Sequence, residues 1–363
     1  MKIKIKKDLL LENLNKVSKA ISTKNLIPIL SGIKFDLTKE GLTLTASDND
    51  ITIQTFIPAD NKDMEIEKEG SIIIQGKYVL DIVIIDELKI LIYAENSEFN
   101  LNGINQKEYP NVALENSKNF VKINTKLFKT IINQTAFATS TDESRPILTG
   151  INIKITGDIL ECSATDSYRL AKKQAKLNEI AGETYNIIVP GKNIVEFMKI
   201  LNEGNEELEI HIFSNKVLFK QNNLLFQSRL VSGNYPNVNN LIPSDSFLKI
   251  TANLSNLYDV IDRASILTSD KEKNIVTLET NKNLLIVRSS SAEIGRVEEK
   301  MNITKDNEEE IKISFSAKYM MDALRSFEGD TVELAFEGEV KPIIIKDVED
   351  PNLTQLVLPI RTY

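Results

Sequence analysis

Apolar and polar positions change period along this chain in a recurring order. Leu10, Leu14, Val17 and Ile21 fall at i, i+4, i+7 and i+11, one stripe of an amphipathic helix. Thr125 precedes Leu127, Ile131 and Gln134, and Ser255 precedes Leu257, Ile261 and Ala264. Two more helices are predicted there, with the hydroxyls as N-caps. After each helix the period drops to two, broken at turns such as Lys39-Glu40-Gly41 and Asn281-Lys282-Asn283, which reads as strands in hairpins. Gly76-Lys77, Gly191-Lys192 and Ala317-Lys318 each open a further helical pattern, and strands follow again. Helix, strands, helix, strands is therefore written three times, over roughly 120 residues each, an ordinary domain size.

The repeat is also visible in the letters. Asn25–Gly32 aligns with Ser144–Gly150, which sets Pro28 and Pro146 apart by 146 − 28 = 118 positions. GIKFDLTKEGLTLTASDND (32–50) then runs against GINIKITGDILECSATDSY (150–168), and SDKEKNIVTLETNKNLLIVRSSS (269–291) supplies the third strand pair. Tyr109-Pro110-Asn111-Val112 recurs letter for letter as Tyr235-Pro236-Asn237-Val238, after the last strands of the first and second repeats. The expected fold is α+β: three domains, 1–120, 121–246 and 247–363, each with two helices packed on antiparallel sheet.

Composition narrows the chemistry. The longest apolar run, 79–86, is broken by Asp81 and Asp86 and is far too short to span a bilayer, and the first residues alternate instead of building a signal core. With a single cysteine no internal disulfide is available, so a cytoplasmic location without membrane partners is expected. His211 and Cys162 lie in strand alternation with no cluster of metal-ligating residues around them, and no phosphate-cradling glycine loop is present. No metal, cofactor or catalytic residue is predicted. The acidic runs 203–209 and 306–310 read as solvated loops and turns. The net charge of −8 argues against a partner held by neutralising many phosphates. Against that stand lysines at the starts of helices in every repeat: Lys77, Lys126, Lys129, Lys192 and Lys318, a shared basic surface. Asp166 and Arg169, in a Thr-Asp-Ser turn that carries Tyr168, are the one constellation able to shape a site.

ATDSYRLA (164–171), SGNYPNVNNLIP (232–243), RASILTSDKEK (263–273) and LVLPIRTY (356–363), in that order on a threefold repeat, resemble the bacterial DNA polymerase III beta subunit family, the DNA sliding clamps. The resemblance covers essentially the whole chain. It implies a head-to-tail homodimer closed into a ring round duplex DNA, a non-catalytic processivity factor for DNA replication. Enclosure removes the charge difficulty, because a ring needs only weak, sequence-independent backbone contacts. Carried over by position, the DNA-facing residues are Lys24, Lys77, Arg145, Lys192, Lys271 and Lys273. The subunit contact pairs Phe99 and Leu101 of an edge strand with Ile266 and Leu267. The partners implied are the polymerase III alpha subunit, the clamp loader and other proteins that dock a short peptide. Their pocket would be lined by Leu148, Thr165, Tyr168, Arg169, Leu170, Pro236, Asn240, Leu241, Pro342, Leu356, Val357, Leu358, Pro359, Ile360 and Arg361, with Arg169 and Arg361 holding polar groups at its rim. Only the second YPNV copy lies beside it. Ser167-Tyr168 and Asn240 depart from the pattern of many members, a departure that leaves the pocket geometry and bears on the hydrogen bonds at its rim. The alternatives are a peptide-binding scaffold that does not encircle DNA, and an enzyme built around Asp166 and Arg169.

Overall fold

Six helices form among the described residues, and they sit where the periodicity changes: α1 (Lys7–Val17), α2 (Gly76–Val79), α3 (Thr125–Asn133), α4 (Gly191–Ile200), α5 (Leu254–Ser265) and α6 (Ala317–Leu324). The computed structural model describes residues 1–21, 27–79, 89–94, 97–102, 104, 109–110, 114, 117, 119–202, 204, 206–243, 245–268, 274–291 and 293–361. α1 buries Leu10, Leu14 and Val17. The stripe ends before Ile21, because a 3-10 turn over Ser18–Ala20 closes the helix. α5 buries Leu257, Ile261 and Ala264 as predicted.

Both predicted hydroxyl caps are corrected. At α5 the cap is Asn253, whose extended backbone lets its side chain accept from the Asn256 N–H at 3.0 Å, and Ser255 lies inside the helix. Thr125 is already helical. Its hydroxyl donates to the Glu206 carbonyl at 2.8 Å and accepts from the Gln221 side chain at 3.1 Å, so it ties the helix start to strands instead of capping it.

The chain folds into two compact units: Met1–Lys126 with Lys192–Leu230, and Leu127–Gly191 with Val231–Tyr363. The first is built on an eight-stranded antiparallel sheet in the order Gly70–Gln75, Gly32–Thr38, Gly41–Ser47, Ile51–Pro58, Leu224–Arg229, Lys216–Gln221, Glu207–Ile212, Phe120–Asn124. Its central neighbours, Ile51–Pro58 and Leu224–Arg229, come from the first and second repeats and pair with Thr52 opposite Gln227. Phe197 of α4 stacks between Phe219 and Phe226, with ring centroids 4.8 and 4.7 Å away. All three rings are fully buried, each contributing roughly 1.5–3 kcal/mol of transfer free energy.

The second unit repeats the plan. Its nine-stranded sheet runs Tyr185–Pro190, Gly150–Thr156, Ile159–Thr165, Arg169–Lys176, Leu353–Val357, Ile343–Asp347, Thr331–Phe336, Leu248–Asn253, Thr304–Lys305. Here Arg169–Lys176 of the second repeat pairs with Leu353–Val357 of the third, Leu170 opposite Leu356. The third repeat adds a four-stranded sheet, Gly295–Asn302, Leu284–Ser291, Ile275–Asn281, Lys312–Ser316. α5 and α6 close its core over Phe315 and Phe336. Sheets therefore do not stop at repeat boundaries, which the sequence pattern alone does not reveal.

His211 and Cys162 are structural. The ring Nδ1 of His211 accepts from the Ser117 N–H, and its Nε2 meets Glu209 at 3.1 Å. Burial opposes the charge of Glu209, but Lys220 and His211 hold its carboxyl below the usual range. The acidic run is thus corrected in part: Glu207–Ile212 is a strand, not a loop. Cys162 is fully buried, and burial pushes its thiol up, away from the thiolate a nucleophile needs.

Candidate functional site

The turn 165–169 is held from within. The left-handed backbone of Ser167, φ +78°, lets the chain reverse in place. Asp166 Oδ1 accepts from the N–H groups of Tyr168 at 2.9 Å and Arg169 at 3.0 Å. The Thr165 hydroxyl donates to the Arg169 carbonyl at 2.6 Å and accepts from the Ser167 N–H at 3.1 Å. The Tyr235 hydroxyl of the second YPNV accepts from the Thr165 N–H at 3.0 Å, which anchors the 232–241 segment to the turn. Gly233 permits that approach: it sits at φ +130°, and a Cβ there would lie 2.8 Å from Ile147.

Arg169 is a brace. Its guanidinium meets Asp166 at 3.0 Å and Asp322 of α6 at 2.7 Å, and its side chain is 11% exposed. It lies 4.6 Å from the Tyr319 ring centroid and 5.4 Å from that of Phe137, a cation–π arrangement on aromatic faces. Two of its five N–H donors go to these carboxylates, so Arg169 braces the turn against α6. Tyr168 stacks on Tyr319 at 6.3 Å and is 56% exposed.

Beside the turn, Leu170, Val238, Ala335, Ile344 and Leu356 form a buried apolar cluster that is separate from the main core. Strand register makes it: Leu170 faces Leu356, and Ile344 faces Leu356 on the other side. Tyr235, Ile242 and Leu358, each half-buried, pack against it. The 3-10 turn Val238–Leu241, capped by the Asn237 side chain, drops Val238 into the cluster and leaves Leu241 51% exposed. Leu358 is fixed by its N–H to the Tyr168 carbonyl at 2.9 Å. Pro359 bridges Phe315, and the Ile360 N–H donates to Ser314 at 2.7 Å.

The structure thus brings together Thr165, Tyr168, Leu170, Leu356 and Leu358. Pro236 and Asn240 are exposed on the adjoining segment, Leu148 and Pro342 are half-buried, and Arg361 is exposed. Val357 is corrected. Alternation turns it to the opposite face of the sheet, where it is fully buried in the main core. Sequence reasoning missed Tyr235, Val238, Tyr319, Asp322 and Ile344. Only the tyrosine of the repeated tetrapeptide carried a signal for its place.

Of the basic residues, Lys77 and Lys192 are exposed at the second positions of α2 and α4, with Lys192 Nζ 3.7 Å from Asp50. Arg145 donates to the Ser167 hydroxyl at 3.0 Å and meets Asp142 at 3.5 Å, which attaches it to the 165–169 turn. Lys24, Lys271 and Lys273 lie outside the described residues. Ile266 is 72% exposed at the end of α5, with Leu267 beside it half-buried. Phe99 and Leu101 lie on Ser97–Asn102, which pairs with Lys89–Ala94.

Repeated sheet-and-helix-pair units with an apolar cluster beside the last strand define a clamp-type fold. The comparisons agree at every level. Residues 1–113, 122–237 and 239–361 match the N-terminal, central and C-terminal domains of the DNA polymerase III beta subunit. The Beta sliding clamp of Bacillus subtilis is 41% identical over 378 residues, covering 100% of both chains. That of Staphylococcus epidermidis is 39% identical over 377 residues, again covering 100% of both. The crystal structure of the DNA polymerase sliding clamp from Bacillus subtilis superposes with a TM-score of 0.95 at 40% identity over 100% of each chain. The chain belongs to the DNA polymerase III beta subunit family, the beta sliding clamps.

Proposed function

We propose that two copies of this chain close head to tail into a ring round duplex DNA and tether replication proteins through the apolar site beside Tyr168. The full-length match to all three beta-subunit domains, in order, carries this reading. It supports domains at 1–120, 121–246 and 247–363. Among the described residues no helix is long and apolar enough to cross a membrane, and the working location proposed is the bacterial cytoplasm.

The docked element is a short extended peptide with leucine or phenylalanine anchors, drawn from the polymerase III alpha subunit, the clamp loader or another client. Leu358 is half-buried on the cluster and Leu241, on the adjoining 3-10 turn, is 51% exposed, which leaves apolar surface open beside it. Covering about 400 Å² of it at about 25 cal/mol per Å² yields roughly 10 kcal/mol gross. Association and ordering costs of several kcal/mol reduce this to micromolar binding, a strength that lets clients exchange.

Lys24, Lys77, Lys192, Lys271 and Lys273 are the proposed DNA-facing cations. Arg145 is better assigned to the peptide turn, to which it is hydrogen-bonded. Among the described residues Gly295–Asn302 has a single sheet neighbour, and this open edge makes the Ile266 end of the third repeat a natural seam for the partner subunit's edge strand. Retention on DNA tests the ring. Loaded protein should stay on a nicked circle and leave when the circle is linearised, and Lys24, Lys77 and Lys192 changed together to Glu should impair loading while each alone has little effect. Equal retention on linear and circular DNA would show binding without enclosure.

A further inference from the structure

Where the first and second repeats share a sheet lies a polar copy of the apolar site. The offset of 118 sets Leu30 at the place of Leu148, Ser47 at Thr165, Asn49 at Ser167 and Thr52 at Leu170. The backbone obeys the same correspondence. Asn49 and Ser167 both have φ +78°. The Arg229 N–H donates to the Asp50 carbonyl at 2.9 Å, as the Leu358 N–H does to that of Tyr168. Thr52 stands opposite Gln227 as Leu170 stands opposite Leu356. Burial raises the phenols of both YPNV tyrosines, but the Tyr235 hydroxyl accepts from the Thr165 N–H at 3.0 Å, whereas the buried Tyr109 hydroxyl has no hydrogen-bond partner among the described residues.

The side chains differ in kind. Where the second site has Leu170, Leu356 and Leu358, the first has Thr52, Gln227 and Arg229, with Lys216 opposite Arg229. These residues and Pro110 line a cavity of about 340 Å³, within the size range of ligand pockets. Among the described residues Asp50 is the only acidic one lining it, and Lys192 lies 3.7 Å from that carboxylate. The Arg229 side chain is exposed and has no ion pair or side-chain hydrogen bond among the described residues.

We propose that this cavity is a second peptide site, selective for a short extended segment carrying carboxylates. The class of ligand follows from the lining. Asn49, Asn215 and Gln227 offer amide donors and acceptors that match a peptide backbone, and Arg229 is a forked donor suited to a carboxylate. A nucleic-acid strand would call for a longer row of cations. The inference rests on the reading of the second-repeat site as a peptide slot, whose geometry the cavity copies.

Two fluorescein-labelled probes separate the claims by anisotropy on the full chain: Gly-Asp-Ser-Asp-Glu, which has no apolar anchor, and Gly-Ser-Leu-Ser-Phe. The acidic probe should bind with one site per chain. Arg229→Glu should weaken it by at least about tenfold and Arg229→Gln by less, as loss of a charge-assisted pair predicts, with unchanged melting temperature. Leu358→Ala should leave the acidic probe alone and weaken the apolar one. The cavity proposal is overturned if the acidic probe does not bind the wild-type chain, if Arg229→Glu leaves it unchanged, or if an oligothymidylate displaces it more tightly than unlabelled peptide does. An apolar probe insensitive to Leu358→Ala would instead overturn the second-repeat reading, with the Arg229 result standing separately.

Discussion

Arg169 sets the terms at the residue scale. An arginine in a turn beside a docking site suggests recognition, yet its guanidinium is enclosed by Asp166, Asp322, Tyr319 and Phe137. Removing one partner from such a buried network strands the others, so Arg169→Met should cost about 3–5 kcal/mol of stability in urea unfolding. A loss below about 1 kcal/mol would mean the pair behaves like an exposed one. The turn itself was legible, because Thr-Asp-Ser is a sequence that satisfies its own backbone. The direction of Arg169 was not, since Asp322 is 153 positions away and marks nothing locally. Val357 failed for a related reason: inside an apolar run such as 356–358, alternation of faces cannot be phased without the strand partner.

At the scale of elements, the helices and hairpins followed from periodicity and the sharing of sheets did not. Nothing in Ile51–Pro58 announces that its neighbour is Leu224–Arg229, because an antiparallel partner is selected by global packing. The C-terminal segment shows what this means for binding. Past Val357 it is held by the Leu358 and Ile360 amides and by the Pro359 bridge, a short tail on a complete sheet. Deleting residues 359–363 should therefore abolish capture of the apolar peptide, read by anisotropy, while the melting temperature falls only slightly. Wild-type peptide affinity in the truncated chain would move the site off this strand. Of the two YPNV tyrosines, Tyr235 sits beside the apolar cluster and Tyr109 is buried with Ile29, Leu30 and Ile73.

For the whole molecule, a net charge of −8 suits a DNA partner held by loose contact and topology. The weak point of any such closure is its seam. Ile266 is 72% exposed beside half-buried Leu267, so Ile266→Ala with Leu267→Ala should convert dimers to monomers in sedimentation at micromolar concentration, with circular dichroism unchanged. Persistent dimers would place the contact elsewhere. The shared sheets point the same way in mechanical terms. Where Ile51–Pro58 meets Leu224–Arg229, and where Arg169–Lys176 meets Leu353–Val357, consecutive repeats are sewn together by a ladder of backbone hydrogen bonds that must all yield at once under shear. Pulled by a moving polymerase, the assembly should part at the join between subunits long before a repeat peels from its neighbour within either sheet.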